Sequence, residues 1–194
     1  MMWKLLLFLT CILLALFLTG CGSNKDEKIA SKLENYSIQK SKAEVKEDDF
    51  IYRLVSEKEE YTDGESVKIF AELEYIGDQE EITIYHAASP FYFPMEEKIR
   101  GYEISYPMEE PLVSTTLVKG KPLREEYKGS GFYSQEDDKA FVEFMKDFIE
   151  KGFPAGYYII NGSADFMIEH NPNEEMEKLL LKTQIDIKVN DTDS

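Results

Sequence analysis

Between Val67 and Tyr75 apolar side chains fall at every second position: Val67, Ile69, Ala71, Leu73 and Tyr75 alternate against Lys68, Glu72 and Glu74. A β-strand sends successive side chains to opposite faces, so this period predicts a half-buried strand with one wet face. The alternation returns in "EITIYHAA" (81–88), through Ile82, Ile84 and His86. "FIYRLV" (50–55), "RGYEISY" (100–106), "LVSTTL" (112–117), "GYYIINGSADFMI" (156–168) and "LLLKTQIDIKV" (179–189) add five more strand-like runs. Turn chemistry separates them. Asp63-Gly64 supplies a positive-φ position, Gly120 and Pro122 mark another turn, and Asn171-Pro172-Asn173 lies between the last two runs. "SPFYFPM" (89–95) is bounded by prolines and is expected to leave the sheet.

One segment breaks the pattern. Phe141, Phe144, Met145, Phe148 and Ile149 share one face of a helix, with Ser134 and Asp137 at capping-box spacing before it and Gly152 and Pro154 after it. Glu136, Asp137 and Asp138 fall in its expected first turn, where the helix dipole favours acids. The pattern predicts a mainly β chain: an antiparallel sandwich of about seven strands with one α-helix inserted near 134–152.

The N-terminus has a different character. After Lys4 an apolar run of 13 residues, Leu5 to Phe17, ends in Leu18-Thr19-Gly20-Cys21. As a helix that run is about 20 Å long, short of the ~30 Å hydrocarbon core of a bilayer, so it reads as a secretory signal. Leu18-Thr19-Gly20-Cys21 resembles the lipobox of bacterial lipoproteins. The resemblance implies cleavage between Gly20 and Cys21, a diacylglyceryl group on the Cys21 thiol, and a cell-membrane anchor on the extracytoplasmic face of a Gram-positive bacterium. The other cysteine, Cys11, leaves with residues 1–20, so the mature chain holds no internal disulfide.

Residues 21–48 read as the lipidated cysteine and a flexible or partly helical tether. Gly22 to Asp48 carries six Lys and six acids among sparse apolar residues, and as a coil it spans about 30 Å. The folded domain is placed at 49–190, with a tail at 191–194. The formal net charge is −16, and the leader contributes only Lys4. Between Asp49 and Asn190 there are 15 basic and 30 acidic residues, a balance that repels phosphate backbones and argues against nucleic acid as a partner.

"YTDGESVKIFAELEYIGDQEEITIYHAASPFYF", then "IRGYEI", "TTLVKGKPLREEY" and "FPAGYYIINGSADF", are similar to the bacterial intracellular proteinase inhibitor family. The similarity spans roughly 50–189 and rests on spacing and on Gly64, Gly101, Gly120 and Gly156. It implies an Ig-like β-sandwich in which the helix at 134–152 is an insertion.

No catalytic signature stands out. His86 falls on an apolar strand face and reads as a satisfied core or edge histidine, and His170 sits in a loop. The spacings of zinc ligands, of a nucleophile elbow, of a phosphate loop and of a calcium loop are missing, so no metal or cofactor is expected. Glu47-Asp48-Asp49 and Glu136-Asp137-Asp138 read as solvated charge. Phe91, Tyr92 and Phe93, between Pro90 and Pro94, offer either a rigid partner-binding patch or a plug for one end of the sandwich. The function expected is a non-catalytic binding or inhibitory module, held to the membrane by lipid and facing an envelope protein or a protease. The alternative is a small lipid-anchored hydrolase using a carboxylate pair.

Overall fold

A computed structural model describes residues 24–170 and 175–192. The leader, Gly20, Cys21 and the Asn171-Pro172-Asn173 turn lie outside the described residues. The chain runs α1 (Asn24–Leu33), β1 (Lys42–Glu47), β2 (Phe50–Ser56), β3 (Glu60–Thr62), β4 (Ile69–Tyr75), β5 (Glu81–His86), β6 (Phe91–Tyr92) and β7 (Met95–Glu97). It continues through β8 (Tyr102–Ile104), β9 (Val113–Val118), β10 (Leu123–Glu126), α2 (Lys139–Lys151), β11 (Gly156–Ile168) and β12 (Glu177–Asn190).

The fold is a β-sandwich. One sheet has the order β1-β2-β4-β10, all antiparallel. The other has the path β3-β12-β11-β5-β9, with β3 and β12 parallel. β11 is its spine. It pairs with β12 along its whole length, while its other edge meets β7, β6 and β5 in succession.

The expected alternation is present. Ile69, Ala71, Leu73 and Tyr75 of β4 are buried, and Glu72 and Glu74 face outward. There Arg53 of β2 donates to Glu74 at 2.7 Å. The two sheets meet through rings: Phe50 of β2 lies edge-on to Phe166 of β11 at 4.8 Å, and Tyr52 stacks on Phe91 at 6.1 Å. Gly162 allows this approach, because a Cβ there would lie 2.5 Å from Tyr52 Oη and 2.8 Å from a Leu54 methyl.

The helix begins later than its sequence signal. Ser134 N–H donates to Asp137 and Asp137 N–H to Ser134 O, but this turn precedes the helix. Asp138 is the actual cap, accepting the Ala140 N–H at 2.8 Å, so the acids at 136–138 lie before the first turn. Gly152 closes α2 at φ 98° and donates to Phe148 O. Phe144, Met145 and Phe148 are buried, Phe141 is half-buried, and Ile149 is 42% exposed.

Two expectations are corrected here. The 89–95 segment does not leave the sheet. β6 and β7 lie on the edge of β11, where Pro94 O accepts the Asn161 N–H and Pro90 O accepts the Asp165 N–H, each at 2.8 Å. A proline lacks a donor, and on this edge a carbonyl is enough.

Residues 28–48 are not a tether. Leu33 of α1 is buried in a small cluster with Ile99 and Tyr157, flanked by Ile29, Tyr36, Ile38 and Ile159, and β1 completes the edge of the first sheet. The folded unit therefore begins at α1 and not at residue 49. The strand count also rises from about seven to twelve among the described residues: β3, β6 and β7 are only two or three residues long, β1 lies in the stretch expected to be a tether, and β10 (Leu123–Glu126) has only four residues.

Candidate functional site

Along β11 the odd-numbered residues face out of the sandwich, and along β12 the even-numbered ones share that face. This outer face is divided in two. At its start, Tyr157, Ile159 and Asp186 are covered by α1 and residues 36–40. Tyr36 stacks on Tyr157 at 4.6 Å. Asp186 accepts the Lys40 N–H at 2.9 Å on Oδ1, and the Gln39 N–H at 2.7 Å on Oδ2.

Beyond residue 160 the face is open. Asn161, Lys182 and Gln184 line a shallow trough of about 720 Å³ that starts at Lys40. It runs toward a deeper cleft of about 600 Å³ floored by Ser163, Asp165 and Met167. Asp165 pairs with Lys178 across the strands at 3.1 Å.

The cleft has two walls. One is the β5–β6 connection, from His86 to Tyr92. The other is the segment after β8, where Tyr106, Met108 and the 66% exposed Leu112 line the opening. Ala88 N–H donates to Glu109 O and ties the walls together. Tyr92 donates its hydroxyl to Tyr106 O at 3.1 Å, its ring lies edge-on to Tyr106 at 4.9 Å, and Tyr106 Oη accepts the Phe93 N–H. Burial pushes the Tyr106 phenol up to about 12, so it stays neutral at physiological pH.

Of the sequence candidates, Phe91 and Phe93 are not an exposed patch. They are 1% and 5% exposed and belong to the core. Of the three, Tyr92 is the half-buried one at the cleft, and the buried Phe91 only backs its lining. Aromatics on a strand edge alternate, and here two of three point inward. Gly20 and Cys21 lie outside the described residues. His86 is a satisfied edge histidine, with Nδ1 against Ala87 O at 2.7 Å and Nε2 against Thr115 Oγ1 at 2.8 Å. His170 pairs with Glu177. The sequence reading missed Tyr85, Tyr106, Ser163, Asp165 and Lys178. For Tyr106 a signal was available in "YPMEEPL" (106–112), a proline-framed segment like the one at 90–94; for the other four there was none.

Two carboxylates are deeply buried, and neither lines the cleft. Glu97 accepts the Ile99 and Arg100 amides at 2.9 and 2.8 Å and pairs with the Arg100 guanidinium at 3.4 Å. Asp186 is held as above. Both are bound to backbone donors, which is a structural role. Among the described residues no group of three or more His, Cys, Asp or Glu is placed to hold a metal ion, and no helix is long and apolar enough to cross a membrane.

No protein-family model matches the chain, and no curated protein matches it. Among solved structures the chain is similar to a crystal structure of a protein from Archaeoglobus fulgidus. The identity is 8% and the TM-score 0.32, over 78% of this chain and 97% of that one. At that TM-score the likeness carries no argument about fold or function.

Proposed function

We propose that this chain is a lipid-anchored extracytoplasmic protein whose domain is a non-catalytic binding module, and that the trough and cleft on the outer face of β11 and β12 take the partner. The observation that carries the reading is this open face. It combines aromatic surface (Tyr85, Tyr92, Tyr106), an exposed apolar rim (Leu112) and an ion pair (Asp165–Lys178) on a rigid two-strand floor. Such a mixture favours recognition of an extended segment of another molecule. The lipobox Leu18-Thr19-Gly20-Cys21 supports the membrane location.

The hydrolase alternative receives no support from the buried carboxylates, whose oxygens are engaged by amides away from the cleft. A narrower, inhibitory form rests on the resemblance of 50–189 to proteinase inhibitors. Soluble protein in excess that leaves a panel of serine proteases fully active refutes that form.

The binding reading is tested with soluble Ser23–Ser194 protein against cell-envelope extract. A saturable partner is expected that is retained by Lys146→Glu on α2 and lost by Ser163→Trp, which fills the cleft floor. No saturable partner, or equal capture by both variants, contradicts the reading.

A further inference from the structure

The folded lead-in changes what a lipid on Cys21 does to the domain. Only Gly22 and Ser23 separate Cys21 from α1, so at ~3.6 Å per residue the anchor lies within about 11 Å of the helix start. From Lys28 onward the helix is packed on the domain. Lys28 and Ile29 line a groove of about 420 Å³ with Arg100, Tyr102, Phe144 and Pro154. Lys32 donates to Ile99 O at 3.1 Å, and Leu33 is buried beside Tyr157. Residues 36–40 then close the attachment through Tyr36–Tyr157 and Asp186. No freely jointed stretch remains between α1 and the sheet.

The direction of exit is also fixed. Lys28 and Ile29 line one groove together with Ala140 and Asp147 of α2 and with Pro154, just before β11 begins. The cleft floor is Ser163 to Met167, on the same strand. From Tyr157 to that floor is six to ten residues, about 20–33 Å at 3.3 Å per residue.

The charges agree with this direction. At the α1–α2 pole Lys28, Lys32, Lys98 and Arg100 stand among Glu96, Glu97, Glu143 and Asp147, an even balance. Residues 49–190 as a whole carry two acids for each base. This pole is therefore one that an anionic bilayer repels less than the rest of the domain.

We propose that the domain stands on the membrane in one orientation. The α1–α2 pole rests against anionic phospholipid headgroups, and the cleft floor is held about 20–33 Å from it along β11. The proposal rests on the lipid-anchor reading of Cys21. It replaces a long swinging tether with a link of two residues before α1, so a partner meets the cleft within a narrow range of heights.

The test uses the full-length protein, processed in its own membrane and reconstituted into phosphatidylglycerol–phosphatidylethanolamine vesicles that carry a headgroup nitroxide. A fluorophore is placed at Ala140→Cys on α2 or at Glu169→Cys beyond β11, both exposed. The label at 140 is expected to be quenched several-fold more than the label at 169. Equal quenching, or stronger quenching at 169, overturns the orientation. Inserting a twelve-residue Gly/Ser spacer between Ser23 and Asn24 is expected to erase the difference, and a difference that survives it contradicts the rigid link. The mass of the N-terminal peptide from the same sample separates the two readings. An acylated Cys21 with equal quenching refutes only the orientation, whereas an unmodified Cys21 refutes the anchor and the orientation with it.

Discussion

Tyr157 donates its hydroxyl to Asp186 Oδ2 at 2.5 Å, joining β11 to β12 beneath the lead-in segment. The same carboxylate accepts the amides of Gln39 and Lys40, so one buried group ties three parts of the chain together. Burial, and after it Asp186 itself, pushes the Tyr157 phenol above its ordinary range and keeps it a donor.

Removing that acceptor strands the Gln39 and Lys40 amides and leaves the Tyr157 hydroxyl only its 3.3 Å contact with Ser37 O. Asp186→Ala is expected to lose on the order of 3 kcal/mol of stability, since an unsatisfied buried donor costs about 1–3 kcal/mol. Asp186→Asn, which keeps one acceptor oxygen, is expected to lose less. Urea unfolding followed by circular dichroism measures both, and an unchanged midpoint for Asp186→Ala contradicts the clamp.

Deleting the lead-in probes the same relationship from the other side. A chain starting at Ser41 lacks Leu33, Tyr36 and the two amides, and leaves Tyr157 and Asp186 uncovered. Its urea midpoint is expected to fall well below that of the Ser23–Ser194 protein, by a few kcal/mol for one buried aliphatic and an unpaired carboxylate. Equal midpoints would restore residues 21–40 as a tether.

The sheet-to-sheet contact gives a third expectation. Gly162→Ala pushes a methyl to within 2.5 Å of Tyr52 Oη and 2.8 Å of Leu54, an overpacking expected to lose about 1–3 kcal/mol. Tyr52 Oη is a fully buried side-chain oxygen with no hydrogen-bond partner. Tyr52→Phe alone is therefore expected to leave stability unchanged or raise it by about 1 kcal/mol. In the Tyr52→Phe background the Gly162→Ala loss is expected to shrink. Strict additivity of the two changes would show that the sheets do not meet there.

What the sequence made legible follows from the range of the interactions involved. β11 spans Gly156–Ile168, as its alternation predicts, because a long strand states its own period. The α2 stripe is legible for the same reason, and its end is fixed by Gly152. The start of α2 was not, since Ser134-Asp137 and Asp138 offer competing caps. The lead-in was hidden because what orders it, Asp186, lies 147 residues from Gln39. Locally "ENYSIQKSK" has too little apolar content to signal burial. The cleft was hidden because its floor alternates with core residues on one strand and its walls come from two distant connections.

Alkaline pH supplies a fourth expectation. Desolvation raises the phenols of Tyr52, Tyr127, Tyr157 and Tyr158 above their ordinary value, and that of Tyr106 to about 12. A raised folded-state value means that folding favours the neutral phenol. The stabilisation is complete below the unfolded value of about 10 and is lost as pH climbs past it. These five should titrate by tyrosinate absorbance in one late step coincident with unfolding by circular dichroism. All 12 tyrosines titrating together near the ordinary value, with the fold intact, would contradict the core described here.

The central claim is that a folded binding module begins almost at the membrane, on Cys21. Mass spectrometry of the N-terminal peptide of protein taken from its native membrane tests it most directly. The account predicts a peptide that starts at Cys21 and carries a diacylglyceryl group. A peptide that starts at Met1, or one cleaved elsewhere with a free Cys21 thiol, would contradict it.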